Sequence, residues 1–122
     1  MSVDPTPETV QTFIAEDDGE PIVMLNLLRY KTDGGKERYG EYALLTVPHL
    51  ERVGAEPLYF GDAAAPLIPN DGEQWDAVLL VRYPNRQAFL EMVMDPEYQK
   101  ITTIRSDALA AAVLQPTKSL AG

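Results

Sequence analysis

The fold class is indicated first by residues 22–30, which read IVMLNLLRY. This stretch is short, rich in residues that favour strands, and apolar at most positions, which is typical of a strand covered on both faces. If its side chains alternate, Asn26 belongs to one face and Arg29 to the other. Residues 75–83, WDAVLLVRY, have the same character and predict a second strand of this kind.

The segments around these two strands predict the rest of the fold. Helices are predicted at residues 37–53 with a kink or interruption at Pro48, at 86–93 and from Pro96 to about Leu109, and strands at 57–62 and 112–116. The resulting order is strand, helix, strand, strand, helix, strand, which is typical of a ferredoxin-like βαββαβ fold. We therefore expect an α+β protein with one four-stranded antiparallel sheet and its helices on one face.

Length and charge limit the class of protein. The chain has 122 residues, which is the size of one domain, and a formal net charge of −9. This negative charge disfavours nucleic acid and anionic membrane surfaces as partners. Residues 1–20 contain acidic side chains and no Lys or Arg. We therefore divide the chain into an acidic N-terminal segment (1–20), with a short helix from Thr6 to Ala15, and a ferredoxin-like domain (21–122).

The sequence contains no cysteine and one histidine. Disulfides and cysteine-based metal sites are therefore excluded, and neither a metal nor a cofactor is expected. The N-terminus has no recognisable secretion signal, and no apolar run approaches the roughly 20 residues that a membrane helix needs. These features together predict a cytoplasmic location.

Strands that are apolar on both faces also predict a homodimer. Helices cover only one face of a ferredoxin-like sheet, and the other face would expose a larger apolar patch than monomers tolerate. A second copy packed sheet to sheet would bury this patch about a twofold axis. The alternative is that the N-terminal segment, with Val10, Phe13 and Ile14, folds over this face.

Several motifs, in a fixed order, resemble one known family. They are MLNLLRY at 24–30, WDAVLLVRYP at 75–84, FLEM at 89–92, DPEYQ at 95–99, and Arg105. Together they are similar to the family called domain of unknown function 1330, over residues 21 to about 117. The resemblance implies a dimeric α+β barrel, a superfamily of cofactor-independent monooxygenases, lactone isomerases, haem-degrading enzymes and proteins without known activity. It implies no catalytic residue in this chain.

Two residues are candidates for catalysis. His49 could act as a general base or a haem ligand, or it could be a partly exposed helix residue. Asn26 stands among apolar residues on a central strand. It could donate a hydrogen bond to a ligand oxygen or to a developing oxyanion, or it could satisfy a neighbouring backbone group.

Three arginines are candidates for binding a carboxylate. Arg29 and Arg82 are predicted on the same sheet face, where two guanidinium groups could hold one carboxylate. Asp76 shares that face, so a structural ion pair with Arg82 is the simpler account. Arg105, on the last helix, could also reach a carboxylate or serve the structure alone.

Aromatic residues with a polar tip form a further candidate set. Trp75, Tyr42 and the other tyrosines could line a pocket for a flat organic ligand, although most are expected to be ordinary core.

The sequence leaves the function open between two main hypotheses, and it does not decide whether the protein is an enzyme. In the first, a homodimer binds or converts a small organic molecule by cofactor-free oxygenation or isomerisation. In the second, it is a non-catalytic binding or structural dimer whose polar residues satisfy one another, without a pocket large enough for a ligand. Haem degradation through His49 is a third.

Overall fold

The computed structural model describes residues 2–121, which form a four-stranded antiparallel sheet and a set of helices. The strands are β1 (Ile22–Tyr30), β2 (Glu56–Asp62), β3 (Ala77–Tyr83) and β4 (Leu109–Thr117). The helices are α1 (Pro7–Ala15), α2 (Gly35–Arg52), α3 (Arg86–Met94), α4 (Pro96–Gln99) and α5 (Thr102–Ala108). The sheet order is β2-β3-β1-β4, so the predicted ferredoxin-like α+β fold is confirmed. Within residues 2–121, no helix is long and apolar enough to cross a membrane.

The central strand β1 separates two different faces of the sheet. Met24 and Asn26 are buried on the side of the helices, whereas the residues that alternate with them are half-buried. The pairing of strands continues this division across the sheet, since Leu25 lies opposite Leu80 of β3. The helix side holds the core, and we call the other side the open face. Its apolar residues include Val23, Leu25, Leu27, Val78, Leu80 and Val113.

The N-terminal helix α1 belongs to the helical side of the molecule. The Phe13 ring packs edge to face against Phe89 of α3, with 5.3 Å between the ring centroids. Arg86 of α3 stacks over Phe13 at 4.8 Å, and its Nη1 donates a hydrogen bond to the Phe13 carbonyl oxygen at 3.1 Å. The N-terminal segment therefore packs on the core, and the alternative in which it covers the open face is wrong.

Three predicted elements differ from those observed. Helix α2 continues through Pro48, so the interruption that was one of the two expectations there does not occur. The single helix predicted after Pro96 is divided into α4 and α5, because the backbone hydrogen bonds at Ile101 span three residues rather than four. Strand β3 begins at Ala77, so Trp75 lies before it and does not follow its alternation.

Candidate ligand-binding cavity

A cavity of about 550 Å³ lies between the sheet and the helices. Its floor is formed by the helix side of the sheet, including Asn26, Leu79 and Val81. Its walls come from all five helices and from the N-terminal residues Asp4 and Pro5. Cavities of this size accommodate small organic molecules. The hypothesis that predicted no such pocket is therefore not supported.

Most of the cavity wall is apolar. The lining includes Leu50, Phe89, Met92, Val93 and Leu114. Three other lining residues are solvent-exposed: Leu44 and Val47 of α2, and Phe60 of β2, with exposed fractions of 77%, 44% and 49%. They show that the cavity opens to solvent between α2 and β2, through a rim that is itself apolar.

Four buried tyrosines form the main polar group in this cavity. They are Tyr39 and Tyr42 of α2, Tyr83 of β3 and Tyr98 of α4. The hydroxyls of Tyr42 and Tyr98 share a hydrogen bond of 2.5 Å. Among the residues that the structure describes, no hydrogen bond is formed by the hydroxyl of Tyr39 or of Tyr83. Two buried phenols that line the cavity thus have hydrogen-bonding capacity left for a ligand or water.

Burial keeps these phenols protonated. It raises the pKa of Tyr39, Tyr83 and Tyr98 well above the usual range of a tyrosine, and the neighbouring Tyr42 raises it further. The cause is the loss of solvation that a buried phenolate would suffer. At neutral pH these side chains are therefore neutral hydroxyls that can donate a hydrogen bond to an oxygen atom.

Asn26 brings an amide to the floor of the cavity. Its side chain is buried, and its Nδ2 donates long hydrogen bonds to the carbonyl oxygens of Met24, at 3.3 Å, and Leu79, at 3.4 Å. Across residues 2–121 its Oδ1 accepts no hydrogen bond. The sequence left open whether Asn26 serves the backbone or a ligand, and the geometry allows both.

Arg105 of α5 supplies the buried cation of the cavity, with an exposed fraction of 8%. Its Nη1 donates to the carbonyl oxygen of Val3 at 2.6 Å and lies 3.4 Å from Oδ1 of Asp4. Its Nη2 is buried and has no hydrogen-bond partner within the described part of the chain. The Asp4 carboxylate also accepts a hydrogen bond from Ser106 Oγ at 2.9 Å. One guanidinium thus holds the N-terminal segment against the cavity.

The remaining predicted site residues lie elsewhere. His49 is half-buried on α2, where its ring packs edge to face against Tyr98 and its Nδ1 lies 2.9 Å from Nη1 of Arg52. It is outside the cavity lining, so neither the general-base nor the haem-ligand role gains support from the cavity. Of the seven candidates, only Asn26, Tyr42 and Arg105 meet at the cavity.

Arg29, Arg82 and Trp75 lie away from the cavity. Arg29 is on the open-face side of β1, with its guanidinium 4.9 Å from the centre of the Trp75 ring and hydrogen-bonded to the carbonyl oxygens of Gly72 and Gln74. These contacts hold the loop before β3. Arg82 alternates onto the open face opposite Val23. Asp76, which was expected to pair with Arg82, accepts a hydrogen bond from the backbone N–H of Tyr30.

Sequence patterns placed Tyr39, Tyr83 and Tyr98 among the tyrosines that could line a pocket, without separating them from core residues, and did not mark Asp4 as a site residue. The tyrosines follow helical or strand spacing, so they are indistinguishable from core residues until the cavity beside them is known. Asp4 belongs to the acidic N-terminal segment, and its partner Arg105 lies near the other end of the sequence. No local signal in the sequence marks such a contact.

The family model described as domain of unknown function (DUF1330) matches residues 30–115. The chain belongs to this family. Of the MLNLLRY run, which the sequence resemblance also used, only Tyr30 lies inside the segment that the DUF1330 model matches. The N-terminal segment lies outside it. No curated protein matched the chain.

Solved structures support the fold. RPA0582, a protein of unknown function from Rhodopseudomonas palustris, is 34% identical, with a TM-score of 0.88, over 97% of this chain and 96% of that chain. A dimeric protein of unknown function and ferredoxin-like fold from Bacteroides fragilis is 12% identical, with a TM-score of 0.59, over 81% and 96%. A putative antibiotic biosynthesis monooxygenase from Bacteroides thetaiotaomicron is 16% identical, with a TM-score of 0.61, over 83% and 90%. The latter two share the fold only.

Proposed function

We propose that this DUF1330 protein is a homodimer that binds a small, mostly apolar organic molecule in the cavity between its sheet and helices. The observation that carries the proposal is that Tyr39 and Tyr83 line the cavity and that their hydroxyls lack a protein partner within residues 2–121. A hydroxyl that faces a cavity and has no protein partner forms its hydrogen bonds with what fills the cavity, so an oxygen atom of a ligand, or water in its absence, is the natural partner.

The ligand is mostly apolar because the cavity wall is. Residues such as Leu79, Val81 and Met92 offer dispersion contacts and no hydrogen bonds. A flat hydrocarbon or aromatic body would gain about 25 cal/mol for each Å² of apolar surface that it removes from water. The hydroxyls and the Asn26 amide would then fix the position of the ligand oxygen.

Binding is better supported than conversion. Among the lining residues that the structure describes, the Asp4 carboxylate is the only anionic group, and its side chain is 58% exposed and already bonded to Arg105 and Ser106. His49, the other candidate base, lies outside the lining. General-base chemistry therefore has no well-placed group, and binding is the primary proposal.

Cofactor-free conversion, of the oxygenase or isomerase type, is the second candidate. Neutral tyrosine hydroxyls in a largely apolar cavity are suited to stabilising an oxyanion that develops on a substrate. This chemistry requires a substrate acidic enough to lose its own proton without a strong protein base.

The homodimer part of the proposal rests on the open face. Leu25 and Leu80 lie opposite each other there, and the other open-face residues extend this half-buried apolar surface across three strands. The helices, including α1, all pack elsewhere, so no described segment of the chain covers it. A second copy applied sheet to sheet would bury the same surface on both partners. The solved structure from Bacteroides fragilis is described as a dimer with the same fold.

Native mass spectrometry of the purified protein, repeated under denaturing conditions, tests both parts. We expect twice the chain mass of 13.5 kDa, with a small organic molecule that is released on denaturation. A bare dimer that also fails to take up any small aromatic compound from a screened library would overturn the binding proposal. A bare monomer that still binds such compounds would overturn the dimer alone.

Gly40 provides a variant that tests the cavity without disturbing the core. It lines the cavity on α2, and a Cβ atom built on it meets nothing within 4 Å. Gly40→Leu should therefore fold normally while its side chain narrows the cavity, so that ligand binding weakens. Gly40→Ala is the matched control, since it makes the same backbone change with little added volume. Equal binding by both variants would place the ligand elsewhere.

A further inference from the structure

We infer that the ligand of this cavity carries one anionic oxygen group, such as a carboxylate, and that Arg105 receives it. This inference rests on the proposed function, since it names the chemical class of the molecule in the same cavity. The observation behind it is that Arg105 is buried, lines the cavity, and uses only one of its two terminal nitrogens on the described part of the chain.

The two terminal nitrogens of the Arg105 guanidinium have different surroundings. Nη1 is occupied by the backbone carbonyl of Val3 and by Asp4. Nη2 is buried without an acceptor in residues 2–121. A guanidinium cannot lose its proton at physiological pH. A buried N–H group without an acceptor therefore remains a hydrogen-bond donor that needs an acceptor. Carboxylates meet this need best, because their hydrogen bonds to a guanidinium are assisted by charge.

The charges around the cavity leave Arg105 incompletely neutralised. Asp4 is the only other charged residue in the described lining, and it lies 3.4 Å from Nη1 with most of its side chain in solvent. Solvent screens an exposed ion pair, so Asp4 compensates the buried charge only in part. Tyr39, Tyr83 and Tyr98 contribute no negative charge at neutral pH, since burial raises the pKa of each. An anionic group on the ligand would complete the compensation.

The position of Arg105 also explains the rest of the site. Arg105, Tyr39 and Tyr98 line the same cavity, and the charge of Arg105 opposes the rise in the pKa of both tyrosines. A carboxylate held by Arg105 would share the cavity with the hydroxyls of Tyr39 and Tyr83, which lack partners within residues 2–121. The apolar body of the ligand would then extend along the hydrocarbon wall toward the rim at Leu44 and Phe60.

The test compares acids with their neutral amides. Isothermal titration calorimetry at neutral pH would use matched pairs, benzoate with benzamide, 2-naphthoate with 2-naphthamide, and 4-phenylbutyrate with 4-phenylbutanamide. We expect the acid to bind more tightly than its amide by about tenfold or more in the pairs that fit, because hydrogen bonds to charged groups are stronger than those between neutral groups. Equal affinities within every pair would overturn the inference and leave the proposed function intact. Binding by neither member of any pair would count against both.

Variants assign the preference to one residue. Arg105→Gln should abolish the preference for acids, whereas Lys100→Gln, which removes an equal charge from the exposed surface, should preserve it. Asp4→Asn should increase the preference, because it removes a competing carboxylate while leaving the guanidinium in place. If Arg105→Gln does not fold, the wild type and Asp4→Asn decide: a preference that falls in Asp4→Asn contradicts the inference.

Discussion

Among single residues, the buried tyrosines have the largest consequence for the response to pH. Burial raises the pKa of Tyr39, Tyr83 and Tyr98 in the folded protein above the value of about 10 that an unfolded chain has. Above that pH the unfolded state loses protons that the folded state retains. Below a pH of about 10, these tyrosines therefore do not lower the free energy of unfolding. Above that pH, they lower it progressively as the pH rises.

We expect the free energy of unfolding to fall by roughly 4 kcal/mol per pH unit once the pH exceeds about 10, since each of the three retained protons contributes about 1.4 kcal/mol per unit. Urea unfolding between neutral and alkaline pH measures this slope. Tyr83→Phe should reduce the slope by roughly one third. If phenolate absorbance shows that all six tyrosines ionise near pH 10 while the protein remains folded, the account is wrong.

At the scale of elements, helix α2 contains two glycines with opposite roles. Gly35, at its start, lies so close to the end of α5 that a Cβ atom would stand 2.5 Å from the backbone oxygen of Ala108 and 3.2 Å from Tyr30. Gly40, one turn later, faces open space. The first glycine allows a close approach of two backbones, and the second leaves room at the cavity.

Alanine should therefore have opposite effects at these positions. We expect Gly35→Ala to lower the free energy of unfolding by about 1–3 kcal/mol, because backbone atoms must move apart. Gly40→Ala should raise it by about 0.5–1 kcal/mol, since alanine loses less conformational freedom in a helix. Urea unfolding of the two variants beside the wild type measures both, and destabilisation of equal size would contradict the assignment.

The same glycines show what the sequence could and could not predict. The strand of residues 22–30 was predicted with its observed bounds, because its apolar pattern and flanking residues are local signals. The close approach of Ala108 to Gly35 has no such local signal, since it depends on the packing of distant elements. The prediction also placed Trp75 in β3, although the strand begins two residues later. The contact between Trp75 and Arg29 brings together distant parts of the chain, and the alternation of side chains does not reveal it.

The site was less predictable than the fold. Asn26 and Arg105 were identified because a polar group in an apolar strand, or a cation on a helix, stands out in a sequence. The cavity itself is a volume left between elements, and no pattern of residues encodes an empty volume directly. The N-terminal segment contributes to the cavity wall through the contact of Asp4 with Arg105, and these residues are about one hundred positions apart in the sequence.

For the molecule as a whole, the two faces of one sheet serve different purposes in our proposal. Neighbouring residues of β3 illustrate this, since Leu79 lines the cavity and Leu80 belongs to the open face. A substitution on the open face should therefore alter assembly while leaving the cavity lining unchanged.

We expect Leu25→Glu to convert the dimer to a folded monomer, because a charge at the centre of the open face cannot be buried against a second copy without a partner. Sedimentation velocity measures the assembly state, and circular dichroism confirms folding. Leu45→Glu on α2 is the matched control, because Leu45 is already exposed on the helical side, and it should remain dimeric. Dimers in both variants would place the interface on another surface.

The hydrogen bond between Arg105 and the Val3 backbone has a practical consequence for the choice of a purification tag. An affinity tag fused ahead of Met1 would begin within a few residues of this contact and of the wall formed by Asp4 and Pro5. Such a tag would crowd the N-terminal residues that line the cavity. A tag placed after Gly122, or one cleaved before any assay, keeps the purified material close to the native state.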